Sequence, residues 1–152
     1  MFAFKFICCF ACSDSGVATS AAPAGRALDV GCAVGRTTFE LSNFFDTVIG
    51  IDYSNSFIEA AKLFGTGAIC PVTVPIEGGL NFKSTVSIAG RFRPAACSFQ
   101  VGDAGNMDVA ALGKFSCVTA ANLIDRLPRP RAFLKVRSCS SETSYSVHQY
   151  DV

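Results

Sequence analysis

Residues 27–52 read ALDVGCAVGRTTFELSNFFDTVIGID and decide the fold. They include most of a short apolar run, residues 26–30, which stops at Gly31 as a buried strand does. A second apolar run, residues 47–51, ends at Asp52. Between the runs, residues 37–45 hold four apolar residues at roughly helical spacing: Phe39, Leu41, Phe44 and Phe45. The stretch therefore predicts a strand, a helix and a second strand parallel to the first.

A second helix and a less regular region follow. Ser56 and Glu59 have the spacing of a capping box, and Gly65 is a suitable helix stop. The predicted apolar face of this helix comprises Phe57, Ala61 and Phe64. Residues 66–95 contain three prolines and several glycines, so they predict an irregular segment that includes a short hairpin.

The rest of the chain returns to alternating strands and helices. The predicted elements are a strand at residues 97–101, a short helix at 109–112, a strand at 115–121 and a helix from about residue 131. This alternation predicts an α/β fold, a doubly wound and mainly parallel sheet covered by helices on both faces. The chain supplies about four core strands, so we expect an incomplete Rossmann-like sheet.

Composition narrows the function classes. The 152 residues suffice for one domain. Apolar residues (AVILMFWYC) make up 50% and charged residues 16% of the chain, which excludes a disordered charged tail. The net charge of +1 argues against nucleic acid as a partner, because such proteins usually carry a basic excess. No apolar run approaches the roughly 20 residues of a membrane span, so no membrane partner is expected.

The cysteines and the N-terminal segment indicate whether the protein binds a metal and in which cellular compartment it lies. Cys9 and Cys12 form a CxxC pair, but no second pair and no nearby histidine completes a metal site, since the only histidine is His148. We therefore predict no metal and a reducing, cytoplasmic location. The N-terminal MFAFKFICCFACS gives a weak signal for secretion, because Lys5 interrupts its apolar block.

The strand ends carry the candidate site residues. Sheets of this kind bind ligands beyond the carboxyl ends of their strands. The residues there are Gly31, Asp52, Asp103 and Asn122. The loop from Asp29 to Gly35 lets a ligand approach bare backbone at its glycines. Asp52 follows Asp29 by 23 residues and suits hydrogen bonds to ribose hydroxyls, so we predict an adenosine ligand.

The glycine loop departs from the dinucleotide fingerprint GxGxxG. Ala33 replaces the second glycine and Arg36 stands at the third position, which disfavours an NAD-linked oxidoreductase. A GxxxG loop with an aspartate two residues before its first glycine instead resembles motif I of class I S-adenosylmethionine-dependent methyltransferases. The resemblance implies S-adenosylmethionine as the cofactor and a small-molecule methyl acceptor.

A more specific resemblance lies in residues 27–61 and 120–134. Both stretches closely resemble the C-terminal methyltransferase domain of ovothiol biosynthesis, which is part of the bifunctional 5-histidylcysteine sulfoxide synthase. The segments GCAVGR, IDYS and NLIDRL are more specific than motif I alone. The resemblance implies methylation of an imidazole nitrogen of 5-thiohistidine.

The resemblance also implies residue roles. The cofactor-binding residues would be Asp29, Gly31, Cys32, Ala33, Gly35, Asp52, Tyr53, Asp103, Ala104 and Asn122. The catalytic, acceptor-side residues would be Asn122, Asp125 and Arg126. Arg126 could bind the acceptor carboxylate through its guanidinium fork, although a solvated charge pair explains Asp125 and Arg126 equally well. Because an imidazole nitrogen is already a nucleophile, the rate gain would come mostly from placement of the reactants.

The family pattern covers only part of the chain. We divide it into a lead-in at residues 1–25, a partial methyltransferase domain at 26–134 and a divergent, serine-rich tail at 135–152. The tail does not continue into the fifth strand and final antiparallel pair of the family, so we expect a truncated sheet with an uncovered edge that could support self-association. Two alternatives therefore stay open, an active small-molecule N-methyltransferase and a catalytically silent fragment.

Overall fold

A computed structural model describes residues 9–11, 25–88, 90–130 and 133. The strands are β1 (Cys9–Ala11), β2 (Arg26–Val30), β3 (Thr47–Asp52), β4 (Cys70–Pro75), β5 (Asn81–Val86), β6 (Cys97–Val101) and β7 (Cys117–Thr119). The α-helices are α1 (Arg36–Leu41), α2 (Asn55–Gly65) and α3 (Val109–Leu112). Short 3-10 helices lie at Glu77–Gly79, Pro94–Ala96 and Ile124–Arg126.

The main sheet has five strands in the order β1-β7-β2-β3-β6. Within it, β7, β2, β3 and β6 are parallel to one another. This four-strand parallel sheet confirms the predicted α/β, Rossmann-like fold class. Because β2 lies between β7 and β3, the glycine loop that follows β2 is flanked by the carboxyl ends of two other strands.

The strand β1 adds an antiparallel edge to this sheet. It pairs with β7, with Cys9 opposite Thr119 and Ala11 opposite Cys117. Residues 1–25, predicted as a lead-in, thus contribute one strand. An edge strand has unpaired backbone N–H and C=O groups that can form hydrogen bonds with a further extended segment. On the outer side of β7, β1 is the strand that pairs with these groups. Among the described strands, β6 is the other edge of the sheet.

The core is built around β2. Ala27, Leu28, Asp29 and Val30 are each at most 1% exposed. Burial of consecutive residues means that both faces of the strand are covered, as expected of a central strand in a parallel sheet. The cluster around it includes Ile51, Phe115, Val118, Ala120 and Phe133. Each large apolar side chain buried in this way contributes about 1.5–3 kcal/mol to folding.

The second helix differs from its predicted form. Ser54, not Ser56, is the N-cap of α2, and its Oγ accepts a hydrogen bond from the Phe57 N–H at 3.4 Å. The capping box predicted from Ser56 and Glu59 is therefore wrong. The reason is Asp52, whose Oδ1 accepts the N–H of Ser54 at 2.9 Å and turns the chain two residues earlier.

The buried faces of the helices were predicted only in part. In α2 the buried residues are Ile58 and Ala61, whereas Phe57 is 47% exposed, so the inclusion of Phe57 in the apolar face is wrong. Ile58, one residue further along the chain, takes the buried position instead. The helix α1 ends at Leu41 rather than at Phe45, although it keeps Phe39 buried as predicted.

The irregular segment at residues 66–95 contains the predicted hairpin. β4 and β5 form a separate antiparallel sheet, with Cys70 opposite Val86 and Pro75 opposite Asn81. The hairpin is longer than the short one expected, because the turn at Glu77–Gly79 allows six residues to pair on each side. It carries several exposed apolar side chains and does not pair with the main sheet.

The C-terminal part is described only as far as the helix that was predicted from about residue 131. The strand β7 is shorter than the predicted residues 115–121, because the chain turns at Asn122, whose φ is +51°. Of the predicted helix, the described residue Phe133 is helical and buried, and residues 135–152 lie outside the described residues. Among the described helices, none is long and apolar enough to cross a membrane.

Candidate functional site

The loop between β2 and α1 is fixed to the end of β3. The N–H groups of Gly31 and Cys32 both donate to the carbonyl oxygen of Ile51, at 2.8 and 3.0 Å. Gly31, Ala33 and Gly35 have positive φ angles of +76°, +48° and +89°. The left-handed conformation suits the two glycines, while Ala33 is held in it against its steric preference.

Close packing is a second reason why positions 31 and 35 require glycine. A Cβ at Gly35 would lie 2.8 Å from the ring of Phe99, and one at Gly31 would lie 3.2 Å from the side chain of Leu123. A side chain at either position would therefore have to displace a neighbour that supports the loop. Gly31 and Gly35 thus form a tight turn between β2 and α1, and their predicted contact with a ligand stays a prediction.

Asp52 joins the glycine loop to the start of α2. Its Oδ2 accepts the N–H of Ala33 at 2.8 Å, and its Oδ1 accepts the N–H of Ser54 at 2.9 Å. The residue is half-buried and lines a cavity. A carboxylate offers about four acceptor positions, so about two remain for the hydroxyl groups of a ligand.

Asp29 is buried beneath the loop between β2 and α1. It is 1% exposed, and its carboxylate accepts hydrogen bonds from the hydroxyls of Thr38 at 2.7 Å and Thr119 at 2.9 Å. Burial raises the pKa of Asp29, and these hydrogen bonds offset part of that effect. Asp29 lines neither of the cavities described below, so the geometry gives it a supporting position.

Cys32 is a buried thiol at the wall of the cleft. Burial raises its pKa to about 12, and the negative charges of Asp29 and Asp52 act in the same direction. The side chain is 5% exposed. Cys32 therefore stays protonated at neutral pH, which makes it a wall of the site and not a nucleophile.

The first cavity lies on the α1 side of Gly31 and has a volume of about 170 Å³. It is lined by Gly31, Cys32, Ala33, Val34, Arg36, Thr37, Ala121 and Asn122. The carboxyl ends of β2 and β7 thus meet here, as predicted for a doubly wound sheet. Four predicted cofactor residues lie in this wall, namely Gly31, Cys32, Ala33 and Asn122.

The second cavity lies on the other side of Gly31 and has a volume of about 250 Å³. It joins the ends of β2, β3 and β6 to the segment that carries the 3-10 helix Ile124–Arg126. The predicted residues in its wall are Gly31, Asp52, Tyr53, Asp103, Ala104 and Arg126. Each cavity is smaller than the roughly 300 Å³ of typical ligand pockets. The two share Gly31 and are therefore neighbours, and they are together called the cleft.

The end of β6 is tied to the end of β3. The N–H of Gly102 donates to the carbonyl oxygen of Asp52 at 2.9 Å. Oδ1 of Asp103 accepts the N–H of Gly105 at 2.7 Å, which fixes the carboxylate in a turn at the mouth of the cavity. Asp103 therefore faces the same cavity as Asp52, and it keeps acceptor positions for a ligand.

The predicted acceptor-side residues do not meet in one place. Asn122 lines the first cavity, Arg126 lines the second and Asp125 lines neither. All three are exposed, and no ion pair of the described residues joins Asp125 to Arg126. Their catalytic role stays a prediction.

Several wall residues were not predicted. They are Val30, Val34, Thr37, Ile51, Gly102, Ala121, Leu123, Leu127 and Pro128, together with Arg36, which the sequence presented only as a departure from the dinucleotide fingerprint. Leu123 and Leu127 flank the 3-10 helix Ile124–Arg126, so no helical or strand periodicity in the sequence marks them as wall residues.

The cleft, the glycine loop and the acid at the end of β3 define a nucleoside-binding α/β domain. A family model described as a methyltransferase domain matches residues 28–137, more than half of the chain. The chain therefore belongs to the methyltransferase-domain family, whose methyl donor is S-adenosylmethionine. This membership confirms the predicted class and cofactor, at the level of the family.

Solved structures are similar to the chain over part of its length. The YcgJ protein of Bacillus subtilis is 20% identical, with a TM-score of 0.38, and the match covers 59% of this chain and 28% of that one. Phosphoethanolamine N-methyltransferase 1 of Haemonchus contortus, solved with phosphoethanolamine and S-adenosylhomocysteine, is 20% identical, with a TM-score of 0.37 and coverages of 57% and 13%. The PH0226 protein of Pyrococcus horikoshii is 24% identical, with a TM-score of 0.36 and coverages of 55% and 28%.

The matches are partial. The chain spans between 13% and 28% of the length of these three proteins. No curated protein sequence matches the chain. Within the described residues, no group of three or more histidine, cysteine, aspartate or glutamate side chains could hold a metal ion.

The residues present fit the cofactor of the family. The second cavity offers carboxylate acceptors on Asp52 and Asp103, and hydroxyl and amino groups are the donors of an adenosine. The first cavity has the glycine loop from Gly31 to Ala33 in its wall. Asp52 would hold the ribose hydroxyls, and the glycine loop would admit the part of the ligand that lies beyond the ribose.

Proposed function

We propose that this chain binds S-adenosylmethionine in the cleft around Gly31 and transfers its methyl group to a ring nitrogen of a small molecule. The observation that carries the proposal is the position of Asp52, which fixes the glycine loop and keeps acceptor positions toward the second cavity. The proposed methyl acceptor is the imidazole of a thiohistidine. That part rests on the resemblance of residues 27–61 and 120–134 to the ovothiol methyltransferase domain.

The reaction asks little of the protein beyond placement. When bound, the cofactor supplies a methyl group on a positively charged sulfur, which is already activated for transfer. The chain's own contribution is to orient the two reactants, and such orientation accounts for a large share of rate gains in bimolecular reactions. Cys32 takes no covalent part, because its thiol stays protonated at neutral pH.

Asn122 and Arg126 are the proposed acceptor-side residues. Each lines a cavity at the end of β7, on either side of Leu123. Arg126 offers a guanidinium fork for the carboxylate of an amino-acid acceptor. The amide of Asn122 could accept or donate a hydrogen bond to the ring.

A methyl-transfer assay tests the proposal. The purified chain is incubated with S-adenosylmethionine labelled on its methyl group and with 5-thiohistidine or histidine, and labelled products are identified by mass spectrometry. We expect label on an imidazole nitrogen of thiohistidine, and loss of this product in Asn122→Ala. Glu59→Gln, a substitution on the exposed side of α2, is the matched control and should not change the rate.

The second candidate function is a binding protein without transferase activity. It is favoured by the exposure of Asn122, Asp125 and Arg126, since an acceptor held by exposed side chains would not be shielded from water. Binding of S-adenosylhomocysteine without turnover of any acceptor would support this candidate over the first.

Location and self-association form part of the proposal. Cys32, Cys70 and Cys97 are thiols rather than disulfides, which supports a reducing, cytoplasmic compartment. β6 is an edge strand through which a second copy could pair. Analytical ultracentrifugation tests this pairing, and a monomer at micromolar concentration would contradict it.

A further inference from the structure

The hairpin of β4 and β5 has one apolar and one polar face. The strands form six cross-strand pairs, and the N–H of Ile76 extends the ladder by donating to the carbonyl oxygen of Leu80 at 2.7 Å. Directly opposed residues share a face, and the faces alternate along each strand. One face, which we call the apolar hairpin face, carries Cys70, Val72, Val74, Ile76, Leu80, Phe82, Ser84 and Val86. The opposite face carries Pro71, Thr73, Pro75, Asn81, Lys83 and Thr85.

The apolar hairpin face is largely uncovered. Five of its side chains are between 42% and 68% exposed: Val74, Ile76, Leu80, Phe82 and Val86. The two strands form a sheet of their own, separate from the main sheet. A two-stranded hairpin is marginally stable in water unless another element packs on its hydrophobic face. A partner that covers this face would therefore stabilise the hairpin.

The edges of the hairpin are protected against a further strand. Because Ile76 is hydrogen-bonded across the hairpin, the residues at alternate positions before it turn their backbone groups outward, namely Pro71, Thr73 and Pro75. Proline has no N–H, so Thr73 alone of these three can donate to an added strand. The β5 edge carries Lys83, and a charged side chain disfavours edge pairing. A partner therefore meets the face of the hairpin and not its edge.

The charges around the hairpin exclude an acidic or basic partner and a lipid surface. The apolar hairpin face has no charged residue. Binding to an anionic membrane would need several lysines or arginines around the apolar face. The polar face offers Lys83 alone, and the turn at the tip carries Glu77. The chemistry of the face thus matches a second uncharged, apolar protein surface.

Other segments of the same chain do not match this face. Residues 12–24 are rich in serine and alanine, and residues 135–152 are rich in serine. Residues 1–8 are mostly apolar, but they join the sheet at Cys9, opposite Thr119 at the carboxyl end of β7. The hairpin instead precedes β6, which starts at the amino end of the sheet with Cys97 opposite Val48. The apolar hairpin face of a second copy is the matching surface that remains.

We propose that the apolar hairpin face is a homodimer surface, on which the hairpins of two copies of this chain pack face to face. Such a contact is closed by a twofold axis, because each copy presents the same flat apolar face to the other. The face is about 24 Å long and about 10 Å wide, which is small beside the roughly 800 Å² that each partner buries in a standard interface. We therefore expect a concentration-dependent dimer with a Kd of about 10–100 μM.

Sedimentation velocity of the full chain, from about 5 to 300 μM, tests the proposal. The double variant Val74→Thr, Phe82→Thr makes the central pair of the apolar hairpin face polar and keeps residues that suit strands. The matched control, Thr73→Ser with Lys83→Thr, changes the adjacent pair on the opposite face. We expect the double variant to raise the dimer Kd at least about tenfold, and the control to change it less than about twofold. Circular dichroism verifies that both variants are folded.

Hydrogen exchange followed by peptide mass spectrometry locates the contact. We expect amides of residues 70–86 to exchange more slowly at high than at low protein concentration, because packing suppresses opening of the hairpin. The amides of β6, the edge strand of the main sheet, should exchange equally at both concentrations.

Four results would overturn the proposal. They are a monomer at the highest concentration, a dimer whose Kd is equal in the folded double variant and the control, concentration-dependent protection in β6 instead of residues 70–86, and a monomer that binds phosphatidylcholine vesicles through Val74 and Phe82. The dimer does not depend on a cofactor, so the test is independent of the methyl-transfer assay.

Discussion

The hydroxyl of Thr38 donates a 2.7 Å hydrogen bond to Oδ2 of Asp29 and so joins α1 to β2 inside the protein. Thr119 of β7 donates to Oδ1 of the same carboxylate at 2.9 Å. One buried acid therefore connects three elements beneath the glycine loop. The loop geometry depends on this contact, since α1 begins immediately after Gly35.

Thr38→Val tests that dependence. Valine keeps the shape of threonine but removes one of the two hydroxyl donors to a buried carboxylate. We expect a loss of about 1–3 kcal/mol in the free energy of unfolding, the cost of a buried polar group without its partner. Urea denaturation measures it, with Thr85→Val on the exposed face of β5 as the control, expected within about 0.5 kcal/mol of wild type. Equal effects of the two variants would contradict the account.

Asp29→Asn tests the pKa of the buried acid. Burial raises the folded-state pKa of Asp29 above its ordinary value of 3.8. The contribution of protonated Asp29 to the free energy of unfolding is thus fully present below about pH 3.8. This contribution is lost as the pH rises through the raised pKa. Relative to wild type, Asp29→Asn should gain stability with rising pH, by at most about 1.4 kcal/mol per pH unit. Urea denaturation across a pH series measures this difference, and a constant difference would be inconsistent with a raised pKa.

Gly35→Ala tests the need for glycine in the loop. Gly79 is the matched control, because it has a similar φ of +81° but nothing within 4 Å of an added Cβ. Both substitutions bear a backbone cost of about 1–2 kcal/mol. Gly35→Ala adds a clash with Phe99 that should cost about a further 1–3 kcal/mol. Thermal unfolding of both variants decides the point, and a smaller effect at Gly35 than at Gly79 would argue against the packing described.

Cys32 should be resistant to alkylation. With a pKa of about 12, only about one molecule in ten thousand carries the reactive thiolate at pH 8. Iodoacetamide labelling followed by peptide mass spectrometry should therefore modify the half-buried Cys70 much faster than Cys32. Comparable rates would show that Cys32 is more accessible, or more acidic, than its surroundings imply.

The parallel sheet was predictable because its signals are local. Apolar runs that end at Gly31 and Asp52 fix two adjacent strands and the loop between them, whatever the rest of the chain does. The start of α2 was not predictable in this way. Ser56 and Glu59 match a capping box, but the turn is set by the Asp52 side chain bonding to Ser54, a contact that no spacing rule contains.

The sequence predicts which strand ends carry the site residues. It does not predict how those residues are divided between the two cavities. Asp52 and Asp103 follow predicted strands, so their meeting in one cavity follows from the parallel order. The separation of Asn122 from Arg126 depends on how Leu123 packs on Gly31, which is a long-range contact. The same holds for the guanidinium of Arg36, which lies over the ring of Phe92, a residue distant in the chain.

Titration of the chain with S-adenosylhomocysteine, followed by calorimetry, tests the central claim most directly. We expect saturable binding by wild type, no binding of NAD, and a loss of about tenfold or more in Asp52→Asn, which removes a charged acceptor. Glu59→Gln should bind as wild type does, and circular dichroism verifies that Asp52→Asn is folded. Binding of NAD alone, or equal affinity of wild type and folded Asp52→Asn, would contradict the account.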